Sequence, residues 1–377
     1  MEDRLVSILG ELVSINSINP TLSGGPGEGE IAAFIEGRLK RLGLEAELHS
    51  VAAARANVVA RAAGRDRSRA VLLNGHIDTV GVEGMEAPFA LRRDGDRLYG
   101  RGAYDMKGGV AVMMALAESF AEVAPACDVW LTFSADEEDR SLGTEHLVNE
   151  WLPGASPAPS AGIFLEPTEG DIGVAHKGFT WFEVEVLGRA AHGSRPEQGI
   201  DAVLPLRGAL TELDRIRSEL AVRPSDPLLG RPSLHGGVVR GGSAPSVVPA
   251  HATLCWERRT LPEEAPGEVA AELARVADAV AALPGGHQVK RREIFVRPAY
   301  RTPQNAAIVG RLRAAAPDSR LAGLSFWADS ALFGHAGIPS VLFGPAGHGA
   351  HAVDEWVSLK SLVMVYHTLK SIVAADD

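Results

Sequence analysis

The sequence predicts an α/β protein in which a mostly parallel, helix-covered sheet is interrupted by an inserted α+β domain with an antiparallel sheet. Three observations predict it. Short apolar runs alternate with helical patterns through the first half of the chain, around Phe179 the pattern switches to strict period-two alternation, and after about Arg297 helices and a buried run return. At 377 residues the chain has the length of two domains rather than one.

The elements follow in order. MEDRLVSILGEL already reads as helical. Ile31, Phe34, Ile35, Leu39 and Leu42 recur at helical spacing, and Gly43 follows as a left-handed cap. Asn57 to Ala60 and Ala70 to Leu73 are β-prone runs, followed by a helix from Gly108 to about Val123 and a strand from Val129 to Ser134. FTWFEVEVLG and SVVPAHATLCWERRT then alternate with period two, each followed by a helix, from Ile200 to about Leu220 and from Glu268 to Leu283. A helix from Asn305 to Ala315, the buried run IPSVLFG and a closing helix from Leu359 to Ala374 complete the pattern. The first domain is therefore expected at residues 1–177 and 298–377, and the insert at 178–297.

Composition narrows the function. With 46% hydrophobic and 23% charged residues the chain is that of a globular protein. A net charge of -11, with no basic cluster to offset it, argues against a nucleic-acid partner. Cys127 and Cys255 lie far apart and form no CxxC pair, so they read as two inert core thiols in a reducing compartment. The longest apolar run, near Gly109 to Ala117, stops at Glu118, well short of a bilayer span, so no membrane partner and a cytoplasmic location are expected.

Several polar residues stand where apolar strands end. In VLLNGHIDTV, His76 and Asp78 are two apart and share a face, so the carboxylate can take the second ring proton of a metal-bound imidazole. Asp105 lies among the glycines of YGRGAYDMKGG, on a turn where a rigidly held carboxylate can bridge two cations. Neither the Walker spacing nor GxGxxG is present there, which excludes the usual phosphate loops. Glu137 and Glu138 in FSADEED repel each other unless a cation or proton intervenes. Split roles resolve that: one glutamate binds metal and the other takes a proton from water. Glu166 in IFLEPT follows another apolar strand, and His348 and His351 compete for a ligand role in GPAGHGAHAVDEWV. Oxygen and imidazole donors of this kind suit a zinc pair.

These motifs carry a resemblance over nearly the whole chain. GHIDTV, GRGAYDMKGG, the Glu137–Glu138 pair, LEPT, AAHGSRPEQGIDA, RTLP and AHAVDEWV occur in the order seen in the zinc-dependent aminoacylase and carboxypeptidase family. The chain most resembles its acetylornithine deacetylase and succinyl-diaminopimelate desuccinylase branch. The resemblance implies a zinc-peptidase-like catalytic domain holding two zinc ions, with cobalt or manganese able to substitute. His76 and Glu166 would complete one site, Glu138 and His351 the other, and Asp105 and a hydroxide would bridge them. Glu137 would be the general base and acid, with Asp78 orienting His76. A cis peptide bond between Asp105 and Met106 is implied as well.

The insert resembles the family's lid, which forms the homodimer. Its His192 would donate to the oxyanion and Arg259 would grip the substrate's carboxylate, with Arg258 left as surface charge. Ser246 stands where relatives often carry asparagine. The implied reaction is removal of an acyl group from an N-acyl amino acid. The alternatives are a glutamate-releasing carboxypeptidase or dipeptidase, and a silent metal-binding relative, which the intact Glu137 and His192 argue against.

Overall fold

Seven strands of the main sheet stand side by side in the order Glu45–Ala52, Arg55–Ala62, Cys127–Ser134, Asp66–His76, Pro159–Phe164, Ser340–Leu342 and Ile172–His176. The coordinates are a computed structural model that describes residues 1–375. In the middle of the sheet the strands are parallel, Asp66–His76 pairing with both Cys127–Ser134 and Pro159–Phe164. Toward both edges the pairing turns antiparallel. The central strands are buried almost throughout, which is why they read as apolar runs and not as alternating ones.

Helices Glu2–Ser14, Lys107–Glu122 and Leu359–Ala374 pack in the same core as these strands. Gly109 lets the middle helix approach closely, since a Cβ there would lie 2.5 Å from the carbonyl oxygen of Leu165. Helix Gly29–Arg41 ends as the spacing predicts, with Gly43 at φ 83°.

The second unit comprises Ala175–Tyr300 and Gly323–Trp327. Its antiparallel sheet runs Ser233–Gly241, His251–Thr260, Gly178–Leu187, Gln288–Arg297. Helices Leu206–Val222 and Pro266–Ala281 cover one face and bury Phe182, Val184, Leu254 and Trp256. The segment Gly323–Trp327, which the sequence reading places in the first domain, joins this unit through Trp327. Its indole donates to the carbonyl of Pro298 at 3.0 Å and packs against His176 and Phe179.

Three other expectations need correction. The helix expected from Ile200 starts at Leu206, because Asp201 caps the N–H groups of Val203 and Leu204 in a turn ahead of Pro205. The strand expected from Ser246 is split: Val247–Val248 pairs with Ala191–His192, and a separate strand begins at His251, since Pro249 has no N–H for the ladder. Arg258 is not surface charge. Period two turns it to the helix-covered face, where it is fully buried against Glu264 and Glu272.

Removing one partner of a buried charge cluster leaves the others uncompensated. Arg258→Met is expected to lower unfolding free energy by about 3–5 kcal/mol in urea denaturation. A loss of under about 1 kcal/mol, the worth of an exposed pair, would refute that burial argument.

Candidate metal centre

The parallel register delivers three loops to one rim of the sheet. His76 pairs with Ser134, and Asn74 with Phe164, so the chain leaves all three strands at one level. At or just beyond those ends stand His76 and Asp78, then Glu137 and Glu138, then Glu166. The other two candidates ride on loops: Asp105 directly before helix Lys107–Glu122, and His351 at φ 65° before the closing helix. The Asp105–Met106 peptide bond is cis.

The five side chains converge. His76 Nε2 lies 3.2 Å from Asp105 Oδ1 and 3.9 Å from Glu166 Oε2. His351 Nε2 lies 3.4 Å from Asp105 Oδ2 and 2.9 Å from Glu138 Oε2. Two donor groups result, His76–Asp105–Glu166 and Asp105–Glu138–His351, each with its ligand atoms within 4.8 Å of one another. Asp105 belongs to both and turns one oxygen to each imidazole. Glu138 Oε1 is buried and has no hydrogen-bond partner among the described residues, an acceptor left over for a cation. The donors are imidazole and carboxylate with no thiolate, a set that fits zinc, cobalt or manganese. His348 instead lies 3.8 Å from Asp354, with its ring centroid 6.5 Å from that of Trp356, so it is His351 that joins the cluster.

The charges bear on one another. Burial alone would depress His76, but the charge of Glu166 and hydrogen bonds to Asp105 and Asp78 hold its pKa well above the usual imidazole value. Hydrogen bonds to Asp105 and Glu138 raise His351 to about 10. Asp105 is held well below the carboxylate range, despite burial, by His351 and His76. Burial and the charge of Asp105 push Glu138 up to about 7. Burial, with Asp105 again, takes Glu166 to about 8 against the pull of His76. Glu137 also rises well above its ordinary value, through burial and the charge of Glu166.

Asp78 does more than orient His76. The imidazole Nδ1–H donates to the main-chain carbonyl of Asp78 at 3.1 Å, while the nearer carboxylate oxygen is 3.5 Å away. That leaves Nε2 free to face the cluster. The Asp78 carboxylate accepts the N–H groups of Glu137 and Glu138 at 3.1 and 3.2 Å. Sequence reasoning missed Glu355, which is 1% exposed. It accepts from the N–H groups of Gly102, Tyr104 and Asp105 and from Arg101, and so fixes the Asp105 turn. It also missed the buried set Asn19, Glu28, Arg55 and Asp136. Glu355 sits in the AHAVDEWV motif beside His351, the one signal that could have found it.

His192 and Arg259 belong to the second unit. His192 is exposed, paired in register with Val247, with its Nδ1 2.8 Å from Ser194 Oγ. The main-chain oxygen of Ser246 accepts from Gly193 at 2.7 Å. Arg259 lies on the sheet face opposite Arg258, where it donates to Glu257 at 2.6 Å and stacks over Phe179. Of the cysteines, Cys127 is buried in the core, but Cys255 is only half-buried and donates to Glu183. No helix among the described residues is long and apolar enough to cross a membrane.

Comparisons with known proteins follow the same lines. The profile described as Peptidase family M20/M25/M40 matches residues 72–375. An acetylornithine deacetylase of Myxococcus xanthus is 29% identical, over 90% of this chain and 90% of its own. A peptidase M20 domain-containing protein of Schizosaccharomyces pombe is 32% identical over 66% of this chain and 58% of its own. The chain spans about half the length of the fungal relatives it matches, between 46% and 58%. Among solved structures, a dinuclear metal-binding peptidase of Bacillus subtilis superimposes with a TM-score of 0.74 at 17% identity, over 99% of this chain and 97% of its own.

Ligands must lose their protons before they bind a cation. Below a pKa of about 10 His351 holds its proton, and below about 8 so does Glu166. Zinc added to metal-free protein at pH 7 in weak buffer is therefore expected to release protons, read with an indicator dye. The yield should fall at pH 9, where Glu166 is already ionised. No release at pH 7 would contradict the assigned charge states.

Proposed function

The chain is a member of peptidase family M20/M25/M40, and we propose that it is a hydrolase of amide bonds that removes the acyl group from an N-acyl amino acid, in the manner of an acetylornithine deacetylase. One observation carries the reading: Asp105 offers an oxygen to each of two donor groups, with Glu137 beside them. His76 and Glu166 would hold one zinc ion, Glu138 and His351 the other, and Asp105 would bridge, with cobalt or manganese able to substitute. When bound, such a pair supplies Lewis acidity to the amide carbonyl and acidifies the attacking water.

Glu137 is the proton carrier in this reading. Its carboxylate would take a proton from the attacking water and hand it to the leaving nitrogen. Asp78 holds its main chain, and that of Glu138, through their N–H groups. His192 would donate to the oxyanion and Arg259 would bind the substrate's carboxylate as a planar fork; the AAHGSRPEQGIDA and RTLP motifs support both assignments. Ser246, in place of the asparagine often found there, bears on specificity. A homodimer formed through the second unit and a cytoplasmic location belong to the same reading. The peptidase family description, with an Aspergillus terreus relative named a probable carboxypeptidase and a Saccharomyces cerevisiae structural neighbour named a di-peptidase, favours a second reading, cleavage of a dipeptide or of a peptide's C-terminal residue.

Zinc- or cobalt-loaded protein should release primary amine from a panel of N-acetyl, N-succinyl and N-formyl amino acids, and less readily from dipeptides. Preference for the dipeptides would favour the second reading, and no turnover with both metals bound would end the hydrolytic one. Glu137→Ala is expected to keep both metals and lose about 10²- to 10⁴-fold in kcat, the usual worth of a positioned acid–base group. Glu138→Ala should instead lose metal. Full occupancy and rate in both variants would overturn this division of labour.

A further inference from the structure

Glu137 and Glu138 lie on an irregular turn, so their aim depends on what holds its main chain. The Asp78 carboxylate accepts both of their N–H groups. Asp136, just before them, is left-handed at φ 70°, a conformation that aspartate tolerates when its side chain is hydrogen-bonded locally. Between Asp78 and Asp136 lies Asn19, fully buried. Its Nδ2 donates to Asp78 Oδ2 and to Asp136 Oδ1, each at 2.9 Å. Its Oδ1 accepts the N–H groups of Thr21 and Leu22 at 3.0 and 3.1 Å, capping the short helix Pro20–Ser23. With both ends of the amide engaged, its orientation is determined.

The Asp136 carboxylate is also held by Arg55 and by the N–H of Leu142, and the Asp136 N–H donates to Glu28 at 3.2 Å. Arg55 also forks onto Glu28 at 2.8 and 2.6 Å. The Asn19 amide nitrogen carries two hydrogens, one for each carboxylate, which a hydroxyl in its place cannot supply.

We propose that Asn19 is a positioning residue for the hydrolytic reaction: by tying Asp78 to Asp136 it sets the direction of Glu137 and Glu138 together. The inference rests on reading the five-residue cluster as a catalytic metal pair. Asn19→Ser isolates the bridge from the cap, because serine still caps a helix start but cannot reach both carboxylates.

Cobalt-loaded Asn19→Ser is expected to bind two metal ions and to lose about 10- to 100-fold in kcat with little change in KM, as is usual when a residue behind a metal ligand is removed. Its visible cobalt absorption should differ from that of the native protein, and the melting temperature of the metal-free form should stay close to native. A native kcat together with a native cobalt spectrum would overturn the proposal, as would a lowered melting temperature with native kcat in the folded fraction. Should Asn19→Ser not fold, Asn19→Gly removes the bridge with little loss of helix capping and adds no charge, and the same readings apply. Failure of both to fold would make Asn19 purely structural and would also overturn the proposal. If the native protein cleaves none of the amides, the hydrolytic reading fails, and the cobalt spectra still decide whether Asn19 shapes the site.

Discussion

Carboxylates buried side by side repel one another, and everything at the rim of this sheet is arranged around that cost. Asp105, Glu138 and Glu166 crowd two imidazoles, and the charge of Asp329 raises Glu137 and Glu166 further. In the metal-free chain His76 and His351 supply the opposing charge, which is why both are held above the ordinary imidazole range. A pair of divalent cations supplies more charge at shorter range, and the donor set matches what such cations bind. The parallel register makes the crowding possible, since strands leaving the sheet at one level bring residues distant in sequence to one place.

Crowding alone would let the loops relax apart. They are restrained from behind by two further carboxylates that accept main-chain N–H groups instead of facing the cluster. Asp78 takes those of Glu137 and Glu138, and Glu355 takes those of Tyr104 and Asp105. Glu355 lies four residues after His351, so one loop supplies both a donor for the cluster and the support of the Asp105 turn. Each acceptor is buried, where an unmade hydrogen bond is expensive, and so each turn has a single favourable arrangement.

Much of this was legible in the sequence because each of His76, Glu137, Glu138 and Glu166 ends an apolar run, and a polar residue at such a place has few structural uses. The central strands and the closing helix were legible for a related reason: their burial is nearly complete, or strictly periodic. Asn19 and Arg55 were not legible. Asn19 reaches partners 59 and 117 residues away, and nothing in the local pattern around it marks those pairings. Spacing alone left the choice between His348 and His351 open; the resemblance selects His351, and the Glu138 carboxylate lies 2.9 Å from its Nε2.

Arg258 and Arg259 teach the converse, that a pattern can be present and still be misread. Leu254, Trp256 and Arg258 share one face of their strand, so the alternation that predicts the strand also predicts a buried guanidinium. Composition argues the other way, since arginine is seldom fully buried, and pairing with Glu264 and Glu272 resolves the conflict. Arg259 falls on the opposite face by the same rule. There Glu257 accepts from it and from the Trp181 indole, and holds its plane over Phe179. Two adjacent arginines thus have separate chemistry for one geometric reason: the pleat turns the first into a core ion pair and leaves the second on the open face, where its remaining donors can meet a ligand.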